Sequence, residues 1–303
     1  TLLNKTPMHP KKLKAAFDKG QNITALLKLA TKTEQNSEQI IEAAYDLQAG
    51  SYIQALEQPV VLAHKKAYAK SLATEILRLT SPISILEAGV GEGTTLSFVL
   101  SSLPDSIKYS HGFDISWSRV QFCSEWLRKN GFSDTFLAVA SLMRTPYVDG
   151  SFDVVYTSHT IEPNGGQESS ILKELFRITS RFLILLEPGY EFASREAQIR
   201  MESHGYCRNL VEHAKTLGMR VIKHELFPHS ANPLNPTAIT VIEKEARAKP
   251  AIPQLACPSF GDTLEGDTDS FYSQGSLLAY PRIKGVPCLR PCDGIIASWY
   301  DRC

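Results

Sequence analysis

The sequence predicts an α/β chain: a doubly wound sheet of seven strands, with a helical cap before it and a small β-rich segment after it. Apolar strand-like runs alternate with helical patterns from Leu62 to Lys244, the order that parallel strands joined by crossovers require. The stretch ISILEAGVGEGTT, Ile83 to Thr95, carries one such strand through Glu87 into Gly89, Gly91 and Gly93 and then into a helix. Alternate glycines remove Cβ atoms where the backbone must turn sharply, and they let a nucleotide-like ligand lie against the main chain.

The elements follow in order. Helical patterns occupy Lys11 to Lys19, Ile23 to Ala30 and Ser37 to Leu47, where Ile40, Ile41, Ala44 and Leu47 recur at helical spacing. Residues 1–59 are therefore expected to form a cap. A helix from Leu62 to Leu79 leads into the first strand, and a helix over Ser97 to Ser102 leaves it. KYSHGFDIS, Lys108 to Ser116, reads as a short strand ending in Asp114, followed by a helix from Trp117 to Asn130 and a strand from Phe136 to Ala140. An Asp-Gly turn then opens the strand Phe152 to Tyr156. Helix Gln167 to Ser180, strand Phe182 to Glu187, one long helix Ser194 to Leu217, and the strands Arg220 to Leu226 and Thr237 to Lys244 complete a domain over 60–246.

The glycine run fits GxGxG better than the dinucleotide fingerprint, because Thr94 stands where GxGxxG needs a glycine. With Glu87 before it, Asp114 at the next strand end, and DGSFDVVYTSHTIEP in fourth place, it resembles the class I S-adenosylmethionine (SAM) dependent methyltransferases. That resemblance implies a Rossmann-like sheet whose last strand runs antiparallel, with SAM as cofactor and S-adenosylhomocysteine (SAH) as product. It further implies that Glu87, Gly89, Gly91, Gly93 and Asp114 hold the cofactor, Asp114 on the ribose. Where relatives place an acid for the adenine amine, this chain has Ala140, Ser141 and Leu142, so Ser141 and Leu142 are expected there. A nicotinamide-dependent oxidoreductase is the weaker rival reading of the glycine turn.

The strand ends also carry His159, Glu162, Asn164 and Glu187, on the sheet edge where ligands of such folds sit. His159 is the candidate general base for a hydroxyl acceptor, since imidazole titrates near neutral pH. Glu162, Asn164, Glu187, His204, Tyr206 and the cap tyrosines Tyr45 and Tyr52 are candidates for acceptor binding. The reading is methyl transfer to a small molecule at oxygen, of a biosynthetic kind. The alternatives are a tRNA or protein methyltransferase, or a non-catalytic SAM-binding module. The Pro-Pro-aromatic signature of base-amine methyltransferases is absent, and so is the acid pattern that holds magnesium in catechol-type enzymes; no catalytic metal is expected.

Lys plus Arg and Asp plus Glu each number 32 in the 303 residues, so no basic excess points to nucleic acid. No apolar run approaches membrane-helix length, the start lacks a signal-peptide core, and six cysteines are few for this length. A cytoplasmic protein is expected, with its oligomeric state open. Beyond Lys249, Pro250 and Pro253 mark a linker into residues 250–303. This last segment resembles the zinc-ribbon activator subunit of tRNA and protein methyltransferases in its CP…GDTL start and AYPRIKGVPCL strands. That fold takes zinc from two Cys-x-x-Cys pairs. Here Cys257 is paired with Phe260, and no cysteine stands near Tyr272 to Gly275, so a ribbon without metal is expected. A different set drawn from Cys257, Cys288, Cys292 and Cys303 is the alternative.

Overall fold

The computed structural model describes residues 8–245 and 251–300. Its centre is a seven-stranded sheet: β1 (Ser84–Ala88), β2 (Tyr109–Asp114), β3 (Phe136–Val139), β4 (Phe152–Ser158), β5 (Thr179–Pro188), β6 (Arg220–Leu226) and β7 (Thr237–Glu243). The spatial order is β3-β2-β1-β4-β5-β7-β6. Pairs among β1 to β5 are parallel, and β7 runs antiparallel to both β5 and β6. The chain reverses direction in order between β1 and β4, which opens a crevice at the carboxyl edge.

Both faces of the sheet are covered. Side chains alternate along each strand, so Ile85 and Tyr156 face one layer and Leu86 and Val155 the other. The first layer is α5 (Pro59–Leu79), α6 (Thr94–Leu100) and α7 (Trp117–Lys129); the second holds α8 (Glu168–Ile178) and α10 (Leu210–Thr216). Before them lie the cap helices α1 (Pro10–Asp18), α2 (Ile23–Thr31), α3 (Glu38–Leu47) and α4 (Ser51–Ala55). Leu13, Ile23, Leu27, Ile40 and Ala44 give the cap its own small core, and Ser37 and Asn22 supply side-chain N-caps.

Two expectations are corrected. The helix expected over Ser194 to Leu217 is two helices, α9 (Arg195–His204) and α10. Gly205 ends α9 with φ 69°, and the chain then pairs with the loop after β4: Gly165 N–H donates to Gly205 O, and Cys207 N–H to Glu162 O. Strand β5 begins at Thr179, three residues before the expected Phe182, because α8 passes straight into it.

The last described segment forms a small antiparallel sheet of β8 (Glu265–Gly266), β9 (Ser270–Ser273), β10 (Leu278–Ile283), β11 (Val286–Pro287) and β12 (Ile295–Ile296). It covers the β3 edge of the large sheet, a standard protection for an unpaired strand. Leu289 N–H donates to Val139 O at 2.8 Å, and Cys257, Phe271, Tyr280 and Leu289 pack on Ala138. Pro253 is among the described residues; Lys249, Pro250 and Cys303 lie outside them. The Cys257 thiol meets Tyr280 Oη and Ser276 Oγ, each at 3.3 Å. Among the described residues no group of three His, Cys, Asp or Glu side chains is placed to hold a metal ion.

Candidate active site

The glycine turn after β1 adopts the left-handed conformation at every alternate residue: φ is 73° at Gly89, 54° at Gly91 and 72° at Gly93. Other residues rarely tolerate it. A Cβ on Gly89 would lie 1.9 Å from Thr160 Cγ2, so β1 and the loop after β4 close together only with glycine here. Gly93 differs from its expected role: it caps α6, and its Cβ would strike Cys123 Sγ at 2.6 Å, so it serves helix packing.

Above this turn lies a cavity of about 280 Å³, lined in part by Glu87, Gly89, Gly91, Asp114, Leu142, His159 and Asn164. Asp114 accepts from Gly91 N–H at 3.0 Å and Ser116 N–H at 2.9 Å, which fixes its carboxylate against the turn. Burial raises its pKa, against Arg119 and these amides. Glu87 accepts from Tyr156 Oη at 3.0 Å. Burial pushes its carboxyl up to about 8, with Lys65 opposing.

The structure adds wall residues that the motifs did not single out. Arg119, 2% exposed, stacks over the rings of Tyr45 and Tyr52 at 4.8 and 4.4 Å and donates from Nε to Tyr45 O at 3.0 Å. Its buried Nη2 has no hydrogen-bond partner. Lys65 lines the same cavity, and burial lowers its pKa against the pull of Glu87. A signal for Lys65 existed: it shares helical register with buried Tyr68, Ala69, Leu72 and Ile76, a charge on an apolar face.

The cap closes the cavity through polar anchors. Glu92, between two of the glycines, accepts from Gly50 N–H at 3.0 Å and Ile53 N–H at 2.8 Å. Asp46 accepts from Ser116 Oγ at 2.7 Å and Ser118 N–H at 3.0 Å, at the start of α7. Asn36 Nδ2 donates to Pro163 O at 2.7 Å. Ser141, expected at the adenine, does not line the cavity; its hydroxyl donates to Glu38 of α3 and accepts from Met143 N–H. Glu38 lines the cavity in its place.

On the loop after β4, His159 has φ 55°, a conformation costing about 1–2 kcal/mol for a residue with a Cβ. Its Nδ1 lies 2.5 Å from Glu162 Oε2 and its Nε2 2.9 Å from Thr237 Oγ1. Burial disfavours its charge, but Glu162 outweighs this and its pKa is raised. Glu187 is not an acceptor-facing group. It lines neither cavity, and its carboxylate accepts from the amides of Thr160, Ile161 and Glu162 at 3.0–3.1 Å. Asn164 donates to Thr160 O at 3.0 Å.

A second cavity of about 580 Å³ adjoins the first and shares Ile41, Tyr45, Tyr52 and Pro163 with it. His204, Tyr206 and Glu162 face this one. Burial, with Glu162 adding to it, pushes the Tyr206 phenol up to about 12.

Residues 85–181 match the family model of a methyltransferase domain. Among solved structures, the chain is similar to magnesium protoporphyrin IX methyltransferase from Synechocystis PCC 6803 with bound SAH, at 12% identity and TM-score 0.53, covering 69% of this chain and 100% of that one. It is also similar to a SAM-dependent methyltransferase from Aquifex aeolicus, at 15% identity and TM-score 0.42, covering 56% and 88%. No curated protein matches. At these identities the structural likeness speaks for the fold. Residues 85–181 thus carry a methyltransferase domain, and the Synechocystis enzyme that shares the fold is seen with the SAM product SAH bound. The cavity fits that cofactor: a backbone turn bared by glycine, a fixed carboxylate at Asp114, and an unpartnered buried guanidinium N–H. Among the described residues no helix is long and apolar enough to cross a membrane.

Proposed function

We propose that this enzyme methylates a small molecule, at oxygen, with the cofactor in the cavity over Gly89 and Gly91 and the acceptor in the adjoining one. The observation that carries the reading is the shared wall of Ile41, Tyr45, Tyr52 and Pro163 between two cavities of unequal size. When bound, SAM supplies an activated methyl group on a sulfonium. The chain's part is to align the acceptor and to exclude water, the largest contributions available to a displacement of this kind.

His159 and Glu162 support oxygen as the acceptor atom. His159 lines the cofactor cavity and Glu162 the acceptor cavity, and they are hydrogen-bonded to each other. An acceptor hydroxyl that replaced Thr237 at Nε2 would find an imidazole oriented and made more basic by Glu162. Asp114 is assigned to the ribose hydroxyls, and Glu38 takes the adenine-side place expected of Ser141.

The test is incubation of the purified chain with methyl-labelled SAM and fractionated cell extract. Label in the small-molecule fraction, stable to base as an ether is, supports the reading. Label in tRNA or protein would replace it with a macromolecular acceptor. A label that is lost in mild base would indicate an ester.

A further inference from the structure

The acceptor cavity carries a charge imbalance that the methyl-transfer reading does not use. Its acid, Glu162, is already engaged: Oε2 lies 2.5 Å from His159 Nδ1 and 3.1 Å from Asn235 Nδ2, and the Tyr206 hydroxyl is bonded to the same carboxylate. Its cations have no acid of their own, although Arg200 donates to Leu234 O at 3.5 Å and is bonded to the Tyr206 hydroxyl. Lys28, in the last turn of α2, and Arg200, on α9, both line the cavity, and neither forms a salt bridge among the described residues. Glu202, on the same helix as Arg200, pairs instead with Arg195 at 4.0 Å and Arg208 at 3.8 Å.

The two cations converge on one wall. A Cβ on Gly205 would lie 3.7 Å from Lys28 Nζ, and the Arg200 guanidinium sits 5.8 Å from the Tyr206 ring centre, one residue further on. His204, which lines the same cavity, is held towards its neutral form by burial and by these two cations, with Glu162 opposing. Two like charges held together in a partly enclosed space, whose acid Glu162 is already bonded to His159 and Asn235, favour an anionic ligand. The wall shared with the cofactor cavity is aromatic, with Tyr45 and Tyr52.

We infer that the acceptor is a small planar molecule bearing an anionic group, which Lys28 and Arg200 bind at the end of the cavity away from the cofactor. The inference rests on the assignment of this cavity to the acceptor. The anion would fix which acceptor atom faces Tyr45 and His159, so the two cations act as specificity determinants, and Arg200 supplies the planar fork suited to a carboxylate.

Calorimetry on the SAH-saturated chain tests it, with para-hydroxybenzoate and para-hydroxybenzamide as probes that share ring and hydroxyl and differ in charge. The acid should bind about tenfold more tightly than the amide, the scale of one or two charged hydrogen bonds. The double variant Lys28→Gln, Arg200→Gln should erase that preference and leave SAH affinity as it was. Equal binding of acid and amide, absence of binding by both, or a preference that survives the double variant would overturn the inference alone. Failure of SAH itself to bind would overturn the cofactor reading beneath it.

Discussion

Glu87 and Asp114 are buried carboxylates beside one glycine turn, and their hydrogen bonds separate their parts. Asp114 spends one bond of each oxygen on backbone amides, so its position is fixed and its remaining lone pairs face the cavity. Asp114→Ala should weaken SAH binding by about 1–3 kcal/mol, the cost of losing a charged hydrogen-bond partner; an unchanged affinity by calorimetry would mean that the ribose is read elsewhere. Glu87 titrates instead. Its folded-state pKa, about 8, lies above the ordinary carboxylate value of 4.5, so the folded protein holds a proton that the unfolded chain releases. Stability from this group is therefore full below the ordinary value and falls as pH rises through that window. Glu87→Gln should raise the melting temperature of the ligand-free protein at pH 8 and leave it nearly unchanged at pH 4.5; the same gain at both would refute the assignment. His159 has the opposite logic in catalysis. Glu162 raises its pKa, so the basic form appears at higher pH than for an ordinary imidazole. Turnover should rise with pH through that raised value, and Glu162→Gln should move the rise to lower pH. His159→Ala should cost about a hundredfold in turnover, the usual range for a lost general base, with SAH affinity intact. A flat profile and full activity would leave alignment alone as the mechanism.

Between elements, the cap is joined to the sheet domain by carboxylates more than by apolar surface. Glu92 holds the start of α4, Asp46 of α3 caps α7, and Glu38 reaches the loop after β3. Such contacts can break and reform in water at little net cost, which suits a cover that must admit a ligand. Glu92→Gln replaces a charged acceptor of two amides by a neutral one, so SAH should dissociate several-fold to tenfold faster, on the scale of about 1 kcal/mol. Amide exchange at residues 50–53 should accelerate with it; unchanged exchange would mean that the cap is held elsewhere. These anchors also mark the limit of what the sequence discloses. Strands and crossovers were legible because burial on both faces writes apolar runs, and the glycine turn because positive φ selects glycine. Glu92 stood in plain view inside GEG, yet its partners lie some 40 residues earlier in chain order, and spacing cannot pair them. Arg119 reads as an ordinary helix cation until α3 and α4 fold over it. The break in the helix after His204 has a local signal in the left-handed Gly205 cap, but the pairing of residues 205–207 with the loop after β4, which directs the chain from there, is tertiary.

Across the whole molecule, the small β segment lies on the sheet domain and reaches the cap through one side chain. Arg290 reaches Glu42 of α3 at 2.7 Å and Asp293 at 2.9 Å, from a chain that lies against β3 through Leu289. It is the covering of the sheet edge that brings this guanidinium to the cap, and α3 carries both Tyr45 of the cavity wall and the anchor Asp46. The β segment thus braces the cover of the cofactor cavity while touching neither cavity itself. Arg290 is partly shielded, so its pair with Glu42 should exceed the weakest surface salt bridges; about 1 kcal/mol of coupling is expected. In a double-mutant cycle of Arg290→Gln and Glu42→Gln, that coupling should register in SAH affinity as well as in unfolding, because loosening α3 tilts Tyr45 and frees Asp46. Coupling in unfolding alone would make the pair a stabilising contact with no hold on the site. Its absence from both would mean that the β segment protects the sheet edge and does nothing for the cap. Raising salt should erode the effect on affinity in the wild-type chain and leave the doubly substituted one unmoved, since screening acts on the charges that the substitutions remove.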